Sequence, residues 1–456
     1  MSGEGCLQRL SEHVAACRYE NLPSEVVAAG KRLLIDTLAV GWAGSASEGL
    51  GTIRDRMVAQ SGPERCDLWG TESRCAALDA AFINSASAAA LEYDSLHAEA
   101  LIHADIVSAP AVLAAAQSVH ASGKDFLAAL IVANDVSCRL ALASSTHKGW
   151  WHTSVYGIFG AAAASAKVLG LGADGIANAM GIALSQASGT QQPIVERGDA
   201  KRLQSAFAAR AGIFSAFLAS SGVTGPRGAF DGPYGLFALY ESGRSERALE
   251  GLGTRYEGSF SSIKKYPTCA CNHTLTEAAL QLVEEFDLQP MGIARATARI
   301  SPYMDRLVGA PYEPGANPGV AAQFSAQYSV ACAVFRRRVA LADLQPAAAV
   351  EPAVVAFAKH VLIEVDPSNV GQLAPAEVEF ALSDGTCLSR RIDVIPGSPS
   401  SPTTPLDDRR KIFDCLSRGL RPLSDRETEG LCSTIDNIDG LPDVARLFDE
   451  IRGGSR

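Results

Sequence analysis

Six stretches of this chain, at about 76–91, 109–121, 126–145, 154–169, 175–188 and 203–220, consist mostly of alanine, glycine, serine and aliphatic residues. Gly123, Gly170–Gly172, Gly189 and Gly222 punctuate them with turns. A helix with small residues on every face has no polar side to give to solvent, so it must be surrounded by other helices at close approach. That requirement predicts a densely packed helical domain. No self-similarity at a period of 20–50 residues points to a solenoid.

Two further helical patterns flank this region. Residues 24–40 carry Val26, Leu33 and Val40 at helical spacing behind Pro23, with Asp36 on or near the apolar face as a hydrogen-bonded structural acid. Asn84 needs a partner inside its apolar helix and is expected to support the loop that follows. Beyond Gly222 the character changes. A turn-rich loop at 222–235 and a helix at about 274–287 precede alternating stretches at 294–300, 361–365, 377–382 and 387–395, with Asp384–Gly385 as a hairpin signal. Residues 396–405, PGSPSSPTTP, read as a linker, and the last 50 or so return to helical spacing. At 456 residues two domains are expected. The predicted class is mainly α: a large all-helical domain (1–264, rejoined by 397–456) with a smaller α+β lid domain inserted at 265–396.

Composition narrows the partners. A net charge of −10 without a basic tract disfavours a nucleic-acid surface. The N-terminus lacks a signal-peptide pattern, and no window of about 18 residues is apolar enough to cross a bilayer. Eleven cysteines without a framework fit reduced thiols, so a cytoplasmic location is expected. Cys269 and Cys271 form a C-x-C, read as buried or pocket-lining thiols in preference to metal ligands.

The chemistry concentrates in YDSLHAEALIHADIVSAP, residues 93–110, where Asp94, His97, Glu99, His103 and Asp105 sit between alanine-rich flanks. Ionisable groups enter such surroundings when paired or working. The six-residue step from His97 to His103 does not align on a helix, so a loop that folds back is expected. D-x-x-H-x₅-H matches no common metal spacing. Three other groups join it. His152 and Tyr156 lie four apart at the start of an apolar helix, a plausible proton-transfer pair. Lys201 opens an alanine-rich helix, where partial desolvation would suit a base or a carboxylate binder. Lys264, Lys265 and His273 fall at the domain junction, where small-molecule sites are common.

Taken in order, D-x-x-H-x₅-H, G-x-x-H-x₃-Y-G, K-R-L-Q-x₂-F-A-A-R-A-G and Y-P-x-C-x-x-x-H resemble the MmgE/PrpD family. IDTLAVGWAG, GAAAASAKVLGL, ASSGVTGP and AAQFSAQYSVACAV extend the resemblance over nearly the whole chain. The resemblance implies the helical domain and inserted lid, usually a homodimer, and action on small di- or tricarboxylates with no metal or cofactor. It also implies site residues: Asp94, His103, His152, Tyr156 and Lys201 as the catalytic set, with His97, Lys265, His273 and Tyr328 binding substrate.

One departure bears on the reaction. Many dehydratases and decarboxylases of the family read D-F-D-D-T-H followed by H-P-S; this chain reads EYDSLH followed by HAD. Its HAEALIH form resembles a branch that also contains a fungal-type cis-aconitate decarboxylase. A dehydratase needs an acid for the departing hydroxyl, whereas an epimerase needs only proton carriers on two faces of one carbon. The expectation is therefore an isomerase epimerising an iminodisuccinate-like dicarboxylate. Lys201 and His152, through Tyr156, would move protons, and His103 and His273 would hold carboxylates. The alternatives are a cis-aconitate decarboxylase- or 2-methylcitrate dehydratase-like lyase, and a non-catalytic dicarboxylate-binding protein.

Overall fold

A computed structural model describes residues 5–62, 65–196 and 198–453; Arg197, just ahead of the Lys201 motif, lies outside them. The chain is mainly α with a small sheet region. In order the first helices are α1 (Cys6–Ala16), α2 (Ser24–Gly44), α3 (Leu50–Gln60), α4 (Ala77–Ala89), α5 (Asp105–Ser118), α6 (Gly123–Leu142), α7 (His152–Val168), α8 (Ala173–Leu184), α9 (Gln192–Val195) and α10 (Ala200–Ser220). A short hairpin of β1 (Cys66–Asp67) and β2 (Arg74–Cys75) lies between α3 and α4.

Helix α7 is the centre of the arrangement, with α5, α6, α8 and α10 packed around it. All of its residues from His152 to Ala166 are buried. The close approach depends on absent side chains. A Cβ at Gly160 would stand 2.2 Å from the Ala133 carbonyl oxygen of α6, and one at Gly212 would stand 2.6 Å from Ala161. Asn84 is anchored to the preceding hairpin, not the following loop: its side chain accepts from the Trp69 N–H (2.9 Å) and donates to the Asp67 carbonyl (2.8 Å).

The sheet region follows. Strand β3 (Ile293–Ile300) pairs parallel with β4 (Val361–Val365) and antiparallel with β5 (Ala376–Leu382), which turns at Asp384–Gly385 into β6 (Cys387–Ile392). Gly385 takes φ +90°, the left-handed conformation the turn requires. The spatial order is β4-β3-β5-β6, and the helix His273–Glu285 packs on β5 and β6. Ala376, Val378 and Phe380 alternate into this core.

The apolar core splits accordingly. One large cluster joins α1–α10 to Cys415, Leu416, Leu431, Ile435 and Ile451, so the last helices pack with the first. Two smaller clusters hold the sheet and the helices between 266 and 358. The helix Pro405–Leu416 lies on α2, and Lys411 pairs with the buried Asp36 at 2.6 Å. Burial pushes the Asp36 carboxyl up, and the Lys411 ammonium opposes it.

Candidate active site

The loop between α4 and α5 folds back on itself. The His97 N–H donates to the Ile102 carbonyl (2.9 Å), and the Ala100 N–H donates to Nδ1 of His97 (3.1 Å). Glu92 and Leu101 adopt φ +52° and +51°, a conformation costly for residues with side chains, and both line the same small cavity. Leu96 and Ser262 exchange two backbone hydrogen bonds, of 3.0 and 2.7 Å, which draws Lys264 to the loop.

The cavity, about 70 Å³, lies between the helical and sheet-bearing regions. His103, His147, His152, Lys201 and Lys264 supply its cationic and titratable wall, while Trp151, Tyr303 and Phe324 supply aromatic surface. Lys201 and Lys264 share Glu92. Nζ of Lys201 contacts the Glu92 carboxylate directly; Nζ of Lys264 donates to the Glu92 carbonyl (2.8 Å) and stands 3.6 Å from its Oε2 and 3.7 Å from Asp94 Oδ1. Lys201 also lies 5.3 Å from the Trp151 ring centroid and 5.7 Å from that of Phe324. Burial and the adjacent Lys264 ammonium push the Lys201 amine well below the usual lysine range.

Both histidines expected in the catalytic set present one nitrogen to the cavity. Nδ1 of His103 lies 2.8 Å from the Ser95 carbonyl oxygen and 2.7 Å from Asp94 Oδ2, and Nδ1 of His152 lies 3.1 Å from the Ala100 carbonyl oxygen. Each ring therefore donates Nδ1–H inward and keeps Nε2 for a substrate. Burial raises the Asp94 carboxyl's affinity for protons, but the His103 ring and Lys264 outweigh it and hold the pKa at about 2. Burial lowers the pKa of His152, with His147 stacked 4.9 Å away, so its ring is neutral near pH 7. Asp94 is a charge behind the His103 ring, and His152 is suited to accept a proton.

Several expected residues lie elsewhere. Tyr156 packs edge-on against His152, 5.0 Å between centroids, one layer behind the cavity. His97 clips the loop; burial, then Arg255, lowers its pKa to about 4. His273 is fully buried behind the wall, edge-on to Tyr266, and burial, then Lys264, lowers its pKa to about 3. Lys265 points to another groove, where it pairs with Glu277 at 2.9 Å. Tyr328 faces a core: Ser325 caps its helix, and the Tyr328 hydroxyl donates to the Asp343 carbonyl (2.5 Å) under the Tyr312 ring.

Sequence reasoning left Glu92, Lys264, His147, Trp151 and Cys269 without assigned roles. Two signals pointed to them. Lys264 and Cys269 stood in the junction motif KKYPTCACNHT, and His147 belonged to the histidine cluster. Glu92 opens the EYDSLH form, but its role depends on two lysines more than 100 residues away in sequence, as the separations of 109 and 172 positions show.

The models of the MmgE/PrpD N-terminal and C-terminal domains match residues 8–248 and 266–434. The chain belongs to the MmgE/PrpD family. Among its relatives is a cis-aconitate decarboxylase-like protein of Aspergillus oryzae, 32% identical over 302 residues, which are 61% of this chain and 61% of that protein. The cis-aconitate decarboxylase of Aspergillus terreus is 30% identical over 284 residues, covering 59% and 58%. The chain thus matches about three-fifths of the length of these MmgE/PrpD fungal relatives. The human cis-aconitate decarboxylase is 26% identical over 455 residues, 95% of this chain and 92% of that one. Among the described residues no helix is long and apolar enough to cross a membrane, and no three His, Cys, Asp or Glu residues converge as a metal site would require.

Proposed function

We propose that this MmgE/PrpD chain is a lyase that works by acid–base chemistry on a small di- or tricarboxylate, with decarboxylation of a cis-aconitate-like substrate as the first reading. The observation that carries it is the convergence of Lys201, Lys264, His103 and His152 on one small cavity with aromatic walls. The relatives named as decarboxylases move the balance from the epimerase expected on sequence toward a lyase.

In this reading Lys264 and His103 hold carboxylates, with Lys264 taking the place expected of His273. The C–C bond to one carboxylate breaks and carbon dioxide leaves. The electron pair shifts through the adjacent double bond to the far carbon, which takes a proton from the Lys201 ammonium. Cations buried beside a developing carbanion act at low local dielectric, where they stabilise it far more than in water. The charges and protons come from side chains, and no cofactor is invoked. At about 70 Å³ the cavity is well below the roughly 300 Å³ of small ligand sites, so binding a tricarboxylate requires it to widen. A homodimer, a lid domain at 265–396 and a cytoplasmic location are part of the same proposal.

A second reading, epimerisation of an iminodisuccinate-like dicarboxylate, is favoured by one feature. His152 is neutral with Nε2 free, beside a lysine that can carry a proton, and inversion at one carbon needs such a pair. One NMR assay in deuterated buffer separates the readings, with cis-aconitate, 2-methylcitrate and iminodisuccinate offered in turn. Carbon dioxide release with a deuterated unsaturated product supports the decarboxylase. Loss of water supports a dehydratase, and deuterium entry with inversion supports the epimerase. No reaction with any of them rejects all three and leaves a carboxylate-binding protein.

A further inference from the structure

Neither reading uses the thiol in the cavity wall. Cys269 lines the same cavity as Lys201, Lys264 and Glu92, with Cys271 beside it. Its backbone is fixed by an N–H donated to the Gln323 carbonyl (3.0 Å). We propose that Cys269 is a covalent modification site for α,β-unsaturated carboxylates, captured by the lysines that bind substrate. The site rests on the carboxylate-binding reading of the cavity and is independent of which reaction the cavity runs.

The chemistry balances without an oxidant or reductant. The sulfur forms a bond to the β-carbon, and the π pair moves to the α-carbon as an enolate-like centre stabilised by Lys264. That carbon takes a proton from the Lys201 ammonium, leaving a saturated thioether. The thiolate is the nucleophile, and its surroundings favour it. A hydrogen bond from Cys271 holds the Cys269 thiol at about 6; burial opposes the shift, and Lys264 and Lys201 assist it. The other cysteines differ. Cys6, Cys17, Cys66, Cys138, Cys271, Cys332 and Cys415 are buried with thiols pushed up and Cys75 is buried, whereas Cys387 is exposed and Cys432 half-buried.

The test uses the full chain carrying Cys387→Ser and Cys432→Ser, which removes the accessible thiols outside the cavity. It is incubated with fumarate, or with acrylamide as an uncharged electrophile, then examined by intact mass and peptide mapping. Expected is one fumarate adduct, on Cys269, whose rate saturates with fumarate concentration. Succinate, a saturated dicarboxylate, should slow it at least tenfold. Lys264→Gln should slow fumarate labelling about tenfold, equivalent to about 1.4 kcal/mol, while acrylamide labelling changes little. Succinate protection needs no variant, so a misfolded Lys264→Gln chain does not blunt the test. Labelling by acrylamide but not fumarate overturns the proposal, as does fumarate labelling that is linear and indifferent to succinate. No adduct on Cys269 from either reagent also overturns it. Saturable labelling without turnover removes the catalytic readings and leaves this one. Turnover without labelling does the reverse.

Discussion

Nδ1 of His103 lies 2.7 Å from Oδ2 of Asp94, with the acid almost wholly shielded from solvent. The Ser95 carbonyl, 2.8 Å from the same nitrogen, keeps the proton on Nδ1, and the carboxylate adds a negative charge behind the ring. Asp94 is a positioning residue, because it acts through His103. Asp94→Asn keeps the shape and the Ser95 hydrogen bond but removes the negative charge behind the ring. We expect a fall of about 10²-fold in kcat/KM, carried mainly by KM. Unchanged kinetics would remove His103 from substrate binding.

Lys201 is the group assigned to proton delivery. Lys201→Met should lower kcat by roughly 10²- to 10⁴-fold, the usual range for a lost acid or base, with the chain still folded by circular dichroism. Full activity in that variant would reject the assignment for every substrate.

Glu92 touches Lys201 and is shared with Lys264. Its carboxylate favours the charged amine, so Glu92→Gln should shift the alkaline limb of kcat/KM to lower pH by about one unit or more. The acid limb should stay in place. A shift to higher pH would mean that Glu92 does not govern the amine.

Acid sensitivity follows from buried histidines. Folding lowers His97 from its ordinary 6.5 to about 4 and His273 to about 3. Below pH 6.5 the unfolded chain therefore binds protons that the folded chain refuses, so stability falls with pH. Asp105 runs the other way. Burial raises its carboxyl from 3.8 to about 6, so its contribution is present below 3.8 and lost as pH rises through 6. By pH 4 the histidines cost roughly 3 kcal/mol each and Asp105 returns roughly 2, a net loss of about 4 kcal/mol relative to pH 7. Urea unfolding at the two pH values checks this, and His97→Gln with His273→Gln should flatten the slope.

Lys411 bridges the chain's last helices to its first. With Asp36 buried beside it at 2.6 Å, Lys411→Met leaves an uncompensated carboxylate and should destabilise the fold by about 3–5 kcal/mol. Adding Asp36→Leu should recover much of that loss, as urea midpoints would show. A double variant no better than the single would mean that packing, not charge, sets the cost.

By itself the sequence determined the packed helices, the sheet hairpin at Asp384–Gly385 and the family, because spacing, small residues and turn chemistry are local properties. It also singled out His103, His152 and Lys201, which line one cavity, and Asp94, which stands behind His103. Only the tertiary structure decided which of two adjacent lysines enters that cavity, since Lys264 is drawn to the Glu92 carbonyl and Lys265 to the Glu277 carboxylate. The same holds for His97, His273, Tyr156 and Tyr328, residues of suitable chemistry that stand behind the wall or in another core. Burial and pairing are sums over distant segments, and the motif around each residue carries no record of them. Glu92 shows this most clearly: its neighbours in sequence say nothing of the two ammonium groups that make it part of the site.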